Sequence, residues 1–235
     1  MMKTLLLLIA SATWFNPASY EALSLRSVLD SFVREDGIER VNAPQPDTWE
    51  AWIQFETLNR TKLVVFSFFN IHTIVFDVPP MILSTELCLD LPCSEKEWRA
   101  ASEGEWRESR DFSSRGQNFQ DVFHSLFSIE HSRLREIKCF SSMGGYVLIH
   151  ALLQQIWLVR NIRLPYQQGR YISLEEVNSF ECALKRWCSC WERNQESSMD
   201  PLSPHGPLSF TSTTLMRLAY IRIKMDLCLA RSLGT

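Results

Sequence analysis

Hydrophobic residues along this chain recur mostly at intervals of three and four, and sustained strict alternation scarcely occurs, so the pattern predicts helices rather than strands. An apolar run from Leu5 to Phe15 opens the sequence. Leu25, Val28, Leu29 and Phe32 then form one helical stripe, with Asn16 and Pro17 as its cap and first residue and Gly37 as its stop. Asp47 with Glu50 three residues on is the capping signature for the next segment. This segment turns almost wholly apolar from Leu63 to Phe76. Fourteen residues interrupted by Ser67, Asn70, His72 and Thr73 are too short and too polar to span a bilayer, so a buried helix is expected there.

Pro79 and Pro80 end that segment, and residues 85–92 read as a short extended connection. Ser94 and Glu97 form a capping box for a helix that carries Trp98. Beyond a polar stretch, Phe119, Val122, Phe123, Leu126 and Phe127 make another stripe, and a long apolar segment runs from Tyr146 to Leu158. Ser173 with Glu176 caps a helix whose Val177, Phe180, Leu184, Trp187 and Trp191 share a face. A last helix is expected from about Thr213. The expected architecture is all-α, an irregular multi-helix domain over 1–235 with loops near 37–46, 107–117 and 194–209.

Composition supports a packed domain and little else. Of the 235 residues 46% are hydrophobic, enough for a substantial core. With 24 basic against 27 acidic residues, no global charge favours nucleic acid or an acidic membrane. The seven cysteines are odd in number and irregularly spaced, which favours reduced thiols over a disulfide framework. Cys182, Cys188 and Cys190 crowd together, yet no fourth ligand lies at loop spacing and the segment reads as helix, so no metal is assigned to them.

Catalytic chemistry finds no foothold in the motifs. The five histidines neither pair with carboxylates nor recur at ligand spacing, and there is no Gly-rich phosphate loop, nucleophile elbow or Cys-x-x-Cys. His72 and His150 are expected as satisfied core histidines, and Gly144 with Gly145 as a turn before a helix rather than an anion site. The chain is therefore read as a non-enzyme, with no catalytic and no metal-binding residues.

One stretch carries a resemblance. Trp49, Trp52, Glu56, Arg60 and Leu63 lie along one helical face, with Glu56 four residues before Arg60 in the favourable orientation for an ion pair. If that pair is partly buried, losing one partner is expected to cost more than losing both. The order of a Trp-x-x-Trp-x-x-x-Glu-x-x-x-Arg helix, an apolar helix from Leu63 to Phe76, a break at Pro79 and Pro80, a turn at Leu91 to Cys93 and a helix from Trp98 to Trp106 resembles the regulatory domain of fungal-specific transcription factors. The branch with Cys2His2 zinc fingers is the nearest in pattern, and residues 203–227 resemble a later segment of the same domain. Trp49, Trp52, Glu56, Arg60, Trp98 and Trp106 then stand as family signature residues with a structural role.

The resemblance implies an all-α domain that sits beside a zinc-dependent DNA-binding module and contributes to regulation of RNA polymerase II transcription in the nucleus. That module is absent from this sequence, which holds neither a Cys2His2 finger nor a six-cysteine cluster, so no DNA-binding residue is assigned. Zinc and DNA are expected only through such a module, in a longer protein of which this chain is a fragment. Coregulators, a second copy or a small ligand are the expected partners, with no membrane among them.

Two other readings stay open. Lys3, the apolar run and the Ala10-Ser11-Ala12 end have the form of a secretory signal, and Asn59-Arg60-Thr61 is a glycosylation sequon. Together they support a secreted or membrane-associated helical protein or enzyme. A signal ending at Ala12 is short, however, and the sequon falls inside a helix, so Leu5 to Phe15 is read as an inner helix. The other reading is a truncated paralogue that binds partners without binding DNA.

Overall fold

The computed structural model describes residues 2–15, 20–38, 46–110, 116–128, 139–161, 173–194, 196 and 206–232. Among them nine α-helices form, and the sole strand-like pairing is an isolated bridge between Asp90 and Asn118. The helices are α1 (Met2–Phe15), α2 (Tyr20–Glu35), α3 (Trp49–Phe76), α4 (Glu95–Trp98), α5 (Glu103–Ser109), α6 (Phe119–Phe127), α7 (Ser142–Asn161), α8 (Leu174–Arg193) and α9 (Gly206–Ser232). The all-α architecture follows from the three- and four-residue spacing of the apolar positions.

Helix α7 sits at the centre. It packs against α3, α8 and α9, and residues 147–154 are buried without interruption. A helix with apolar residues on every side has no solvent face to spare, and three neighbours supply the cover. Helix α1 packs on α2 and α3, with Ile9 fully buried, so the opening apolar run contributes directly to the core. An aromatic chain crosses the fold from Phe66 on α3 through Phe119, Phe123 and Phe127 on α6 to Phe180 on α8, with successive ring centroids 5.4 to 6.4 Å apart.

Several boundaries differ from expectation, each for a local reason. Thr48, not Asp47, caps α3, its hydroxyl accepting from the Ala51 N–H at 3.4 Å. Residues 49–60 and 63–76 form one continuous helix of 28 residues, because nothing between Arg60 and Leu63 breaks it. Residues 98–106 form two short helices instead of one: Ser94 caps α4 and Ser102 caps α5, and the second cap interrupts the run. Helix α5 continues to Ser109, inside the expected loop at 107–117, and α9 starts at Gly206 rather than Thr213. Pro207 is compatible with that early start, since a first-turn proline gives up no helical hydrogen bond. The box of Ser173 and Glu176 forms as expected, while the cap at Asn16 and Pro17 lies outside the described residues.

Gly144 and Gly145 are not a turn. They lie within the first turn of α7, buried. A Cβ on Gly145 would stand 2.5 Å from Cε3 of Trp191, so the α8 indole rests where a side chain would be. Trp187, stacked on Trp191 with centroids 5.0 Å apart, donates its indole N–H to the Gly145 carbonyl at 2.9 Å. The glycine pair is thus the seat on which α8 docks against α7. Gly145→Ala is expected to destabilise the fold by ~1–3 kcal/mol through overpacking, measured by chemical denaturation.

His72 fits the expectation, with Nδ1 3.0 Å from the Phe68 carbonyl oxygen. His150 departs from it. The ring is fully buried on α7 against the Tyr146 ring, and neither nitrogen has a hydrogen-bond partner among the described residues. Burial pushes its pKa down to about 3. The unfolded chain takes up a proton near pH 6.5 where the native one does not, so the native state loses stability as pH falls from about 6.5 toward 3. The loss approaches ~1.4 kcal/mol per pH unit at its steepest, and His150→Leu is expected to flatten that part of a denaturation series run against pH.

Candidate functional site

The sequence signature converges on one turn. Residues Asp90 to Ser94 leave the helical layers and pass between α3 and the start of α7, where their backbone polar groups need partners. Helix α3 supplies three of them from one face. Asn59 donates its amide to the Asp90 carbonyl at 3.0 Å. Glu56 accepts the Cys93 N–H at 3.0 Å, and Arg60 donates to the Cys93 carbonyl at 2.9 Å. The four-residue spacing of Glu56 and Arg60 also closes their own ion pair at 2.8 Å.

The indoles cover this clamp. The Arg60 guanidinium lies 4.4 Å from the Trp98 ring centroid, and Glu95 approaches it at 3.9 Å. Trp52 packs between Trp98 and Trp106, at 6.4 and 5.4 Å between centroids. Arg110 stacks over Trp106 at 4.2 Å and reaches Glu97 at 3.6 Å. The structure therefore brings together Trp52, Glu56, Arg60, Trp98 and Trp106. Trp49 stands apart, half-buried at the first position of α3 and outside the ring contacts that join the other three tryptophans.

This arrangement binds backbone, and no reacting centre emerges from it. The Cys93 thiol lies 3.4 Å from Arg60, yet burial, reinforced by Glu56, pushes its pKa well above the ordinary thiol range and keeps it protonated. Burial also raises the Asp90 carboxyl, helped by the Glu56 charge. Cys182 is exposed while Cys190 faces the core, and no cluster of three or more metal-ligating side chains occurs among the described residues.

Sequence reasoning missed the residues that hold the adjoining segment. Gln154 on α7 accepts from the Ser84 N–H at 2.6 Å and donates to Asn70 and to the Ile82 carbonyl. Gln120 on α6 donates to the Ser84 and Leu87 carbonyls, at 2.7 and 3.0 Å. Arg34 on α2 binds Glu86 and the Met81 carbonyl, both at 3.0 Å. A polar residue inside an apolar stripe, as Gln154 is, was the available signal. The sequon also changes meaning: Asn59 is buried and its amide is engaged, so a glycan has no room on the folded domain.

Arg60→Met is expected to cost ~3–5 kcal/mol, since it leaves Glu56 buried without its cation. The double variant Glu56→Leu/Arg60→Met stays destabilised because both Cys93 backbone groups lose their partners. A double-mutant cycle by urea denaturation is expected to return a coupling of ~0.5–3 kcal/mol.

No family model and no solved structure matches the chain. It is similar to the transcription factor PfmaH of Pestalotiopsis fici, with 31% identity over 185 residues. The match covers 74% of this chain and 16% of that protein, so the chain spans a small part of its relative's length.

Proposed function

We propose that this chain is a regulatory domain of a fungal transcription factor, contributing to control of RNA polymerase II transcription in the nucleus through contacts with other proteins. The observation that carries the reading is the likeness to a fungal transcription factor over three quarters of the chain. The all-α fold and the Trp-Glu-Arg clamp at the positions of the family pattern support it. A non-enzymatic role accords with a site whose polar groups are spent on backbone rather than aimed at a substrate.

Sequence-specific DNA contact belongs, in this reading, to a zinc-dependent module outside the chain, and zinc would be held there. Partner contact is favoured over a small ligand at the clamp. The cavity beside it holds about 150 Å³, against the ~300–1,000 Å³ of ordinary ligand pockets.

Fusing residues 1–235 to a heterologous DNA-binding domain and measuring a reporter in a fungal host tests the reading. The expected outcome is a change in transcription of threefold or more in either direction, lost when Arg60→Met disrupts the clamp. A folded fusion that is nuclear, occupies its operator and leaves the reporter unchanged would overturn it.

A further inference from the structure

Helices α3 and α7 run parallel and meet through polar side chains at regular steps. The Arg60 guanidinium lies 3.7 Å from the Met143 sulfur, Gln154 donates to Asn70 at 2.7 Å, and the Trp157 indole donates to Asp77 at 2.7 Å. Rising numbers on one helix thus meet rising numbers on the other, which fixes the register along the whole interface. Ser67 follows Arg60 by seven residues and His150 follows Met143 by seven, two helical turns in each case. Ser67 and His150 therefore stand at one level of this seam, on the faces that α3 and α7 turn toward each other.

At that level the bonding breaks off. The Ser67 hydroxyl, the Asn70 amide nitrogen and both ring nitrogens of His150 have no hydrogen-bond partner among the described residues. Asn70 lies one turn beyond Ser67, and its amide oxygen is already committed to Gln154. Each of the three side chains is at most 2% exposed, so bulk solvent does not reach them. Buried polar groups left unmet are strongly penalised, and native interiors meet them with protein or with an internal water. These three are complementary through one added molecule. Ser67 and Asn70 offer donors, and the neutral imidazole offers an accepting nitrogen, which burial keeps unprotonated. One water accepts from Ser67 and Asn70 and donates to His150, the ~3 hydrogen bonds that an internal water usually makes.

We propose that Ser67, Asn70 and His150 form a binding site for one structural water molecule, which completes the polar seam between α3 and α7. No direct bond joins Ser67 to His150, so the bridging molecule carries the link. The seam then runs without a gap from Arg60 of the clamp, through the water and the Asn70–Gln154 bond, to Asp77 at the end of α3. Sliding either helix by a turn would strand every one of these groups, so the water helps to hold the two helices in a single register. The proposal stands whether or not the transcriptional reading does.

A crystal structure of the 235-residue chain, at a resolution that orders internal solvent, tests the site directly. The expected result is one solvent peak within hydrogen-bonding distance of Ser67 Oγ, Asn70 Nδ2 and a ring nitrogen of His150. An empty site, or a direct bond from Ser67 to His150, would overturn the proposal. Urea denaturation tests it in solution. Ser67→Ala is expected to raise the unfolding equilibrium constant ~3- to 10-fold in the parent chain, as loss of a made hydrogen bond does. In the His150→Leu background, where the bridge is already broken, the same change is expected to alter it by less than about twofold. An unpartnered hydroxyl gives the opposite sign, because its removal leaves stability unchanged or improved. That outcome, or an equal loss in both backgrounds, would sink the bridge.

Discussion

A buried chain segment that is not helical has to find hydrogen-bond partners outside its own backbone, and the rest of this fold is arranged around that need. From Met81 to Ser94 the chain between α3 and α4 is largely buried, and its one helical element is the short 3-10 turn Ser84–Glu86. An unpaired buried peptide group costs about as much as several favourable contacts return, so each position must be met by something. Arg34, Asn59, Gln120 and Gln154 meet it with side chains from four different helices, and Glu56 and Arg60 do so for the last turn. Even the exit from α3 is tied down. Asp77 adopts a left-handed φ of 51°, and its carboxylate accepts from the Trp157 indole at 2.7 Å.

That requirement explains how buried charge is tolerated here. Glu56 and Arg60 are both withdrawn from water, a costly placement when an ion pair merely sits in a core. Their partners are not only each other: each also binds the Cys93 backbone, and Trp98 covers the guanidinium. Lys62 follows the same logic two residues on, from a different side of the helix, with its ammonium 3.0 Å from the Asp36 carbonyl and 2.7 Å from the Asp36 carboxylate. Helix α3 thus presents polar side chains to two irregular segments on separate sides, while its apolar residues build the core.

Much of this was readable from residue spacing, because spacing encodes which face a helical residue occupies. The stripes of α6 and α8, the box at Ser173 and the Glu56–Arg60 pair all appear where their intervals place them. Helix ends were harder to read, since caps compete locally: Thr48 displaced Asp47, and Ser102 split a helix that the run from Trp98 to Trp106 had seemed to join. The partners of long-range pairings have no local signal. Nothing near Gln154 announces that it serves Ile82 and Ser84, and nothing near Gly145 announces the indole of Trp191. Glu196, which accepts from the Glu95 and Ser142 N–H groups, sits in a stretch whose composition reads simply as linker.

The burial of most of α7 also dictates an order of assembly. Its neighbours α8 and α9 follow it along the chain, so during synthesis this largely buried helix leaves the ribosome before two of the three surfaces that cover it exist. Until α8 and then α9 emerge, α7 has α3 alone among these three to shield it, and the nascent chain carries an incompletely covered apolar rod. Burial of α7 is therefore tied to the arrival of α8 and α9, and a chaperone that holds the exposed rod during that interval would have α7 as a target.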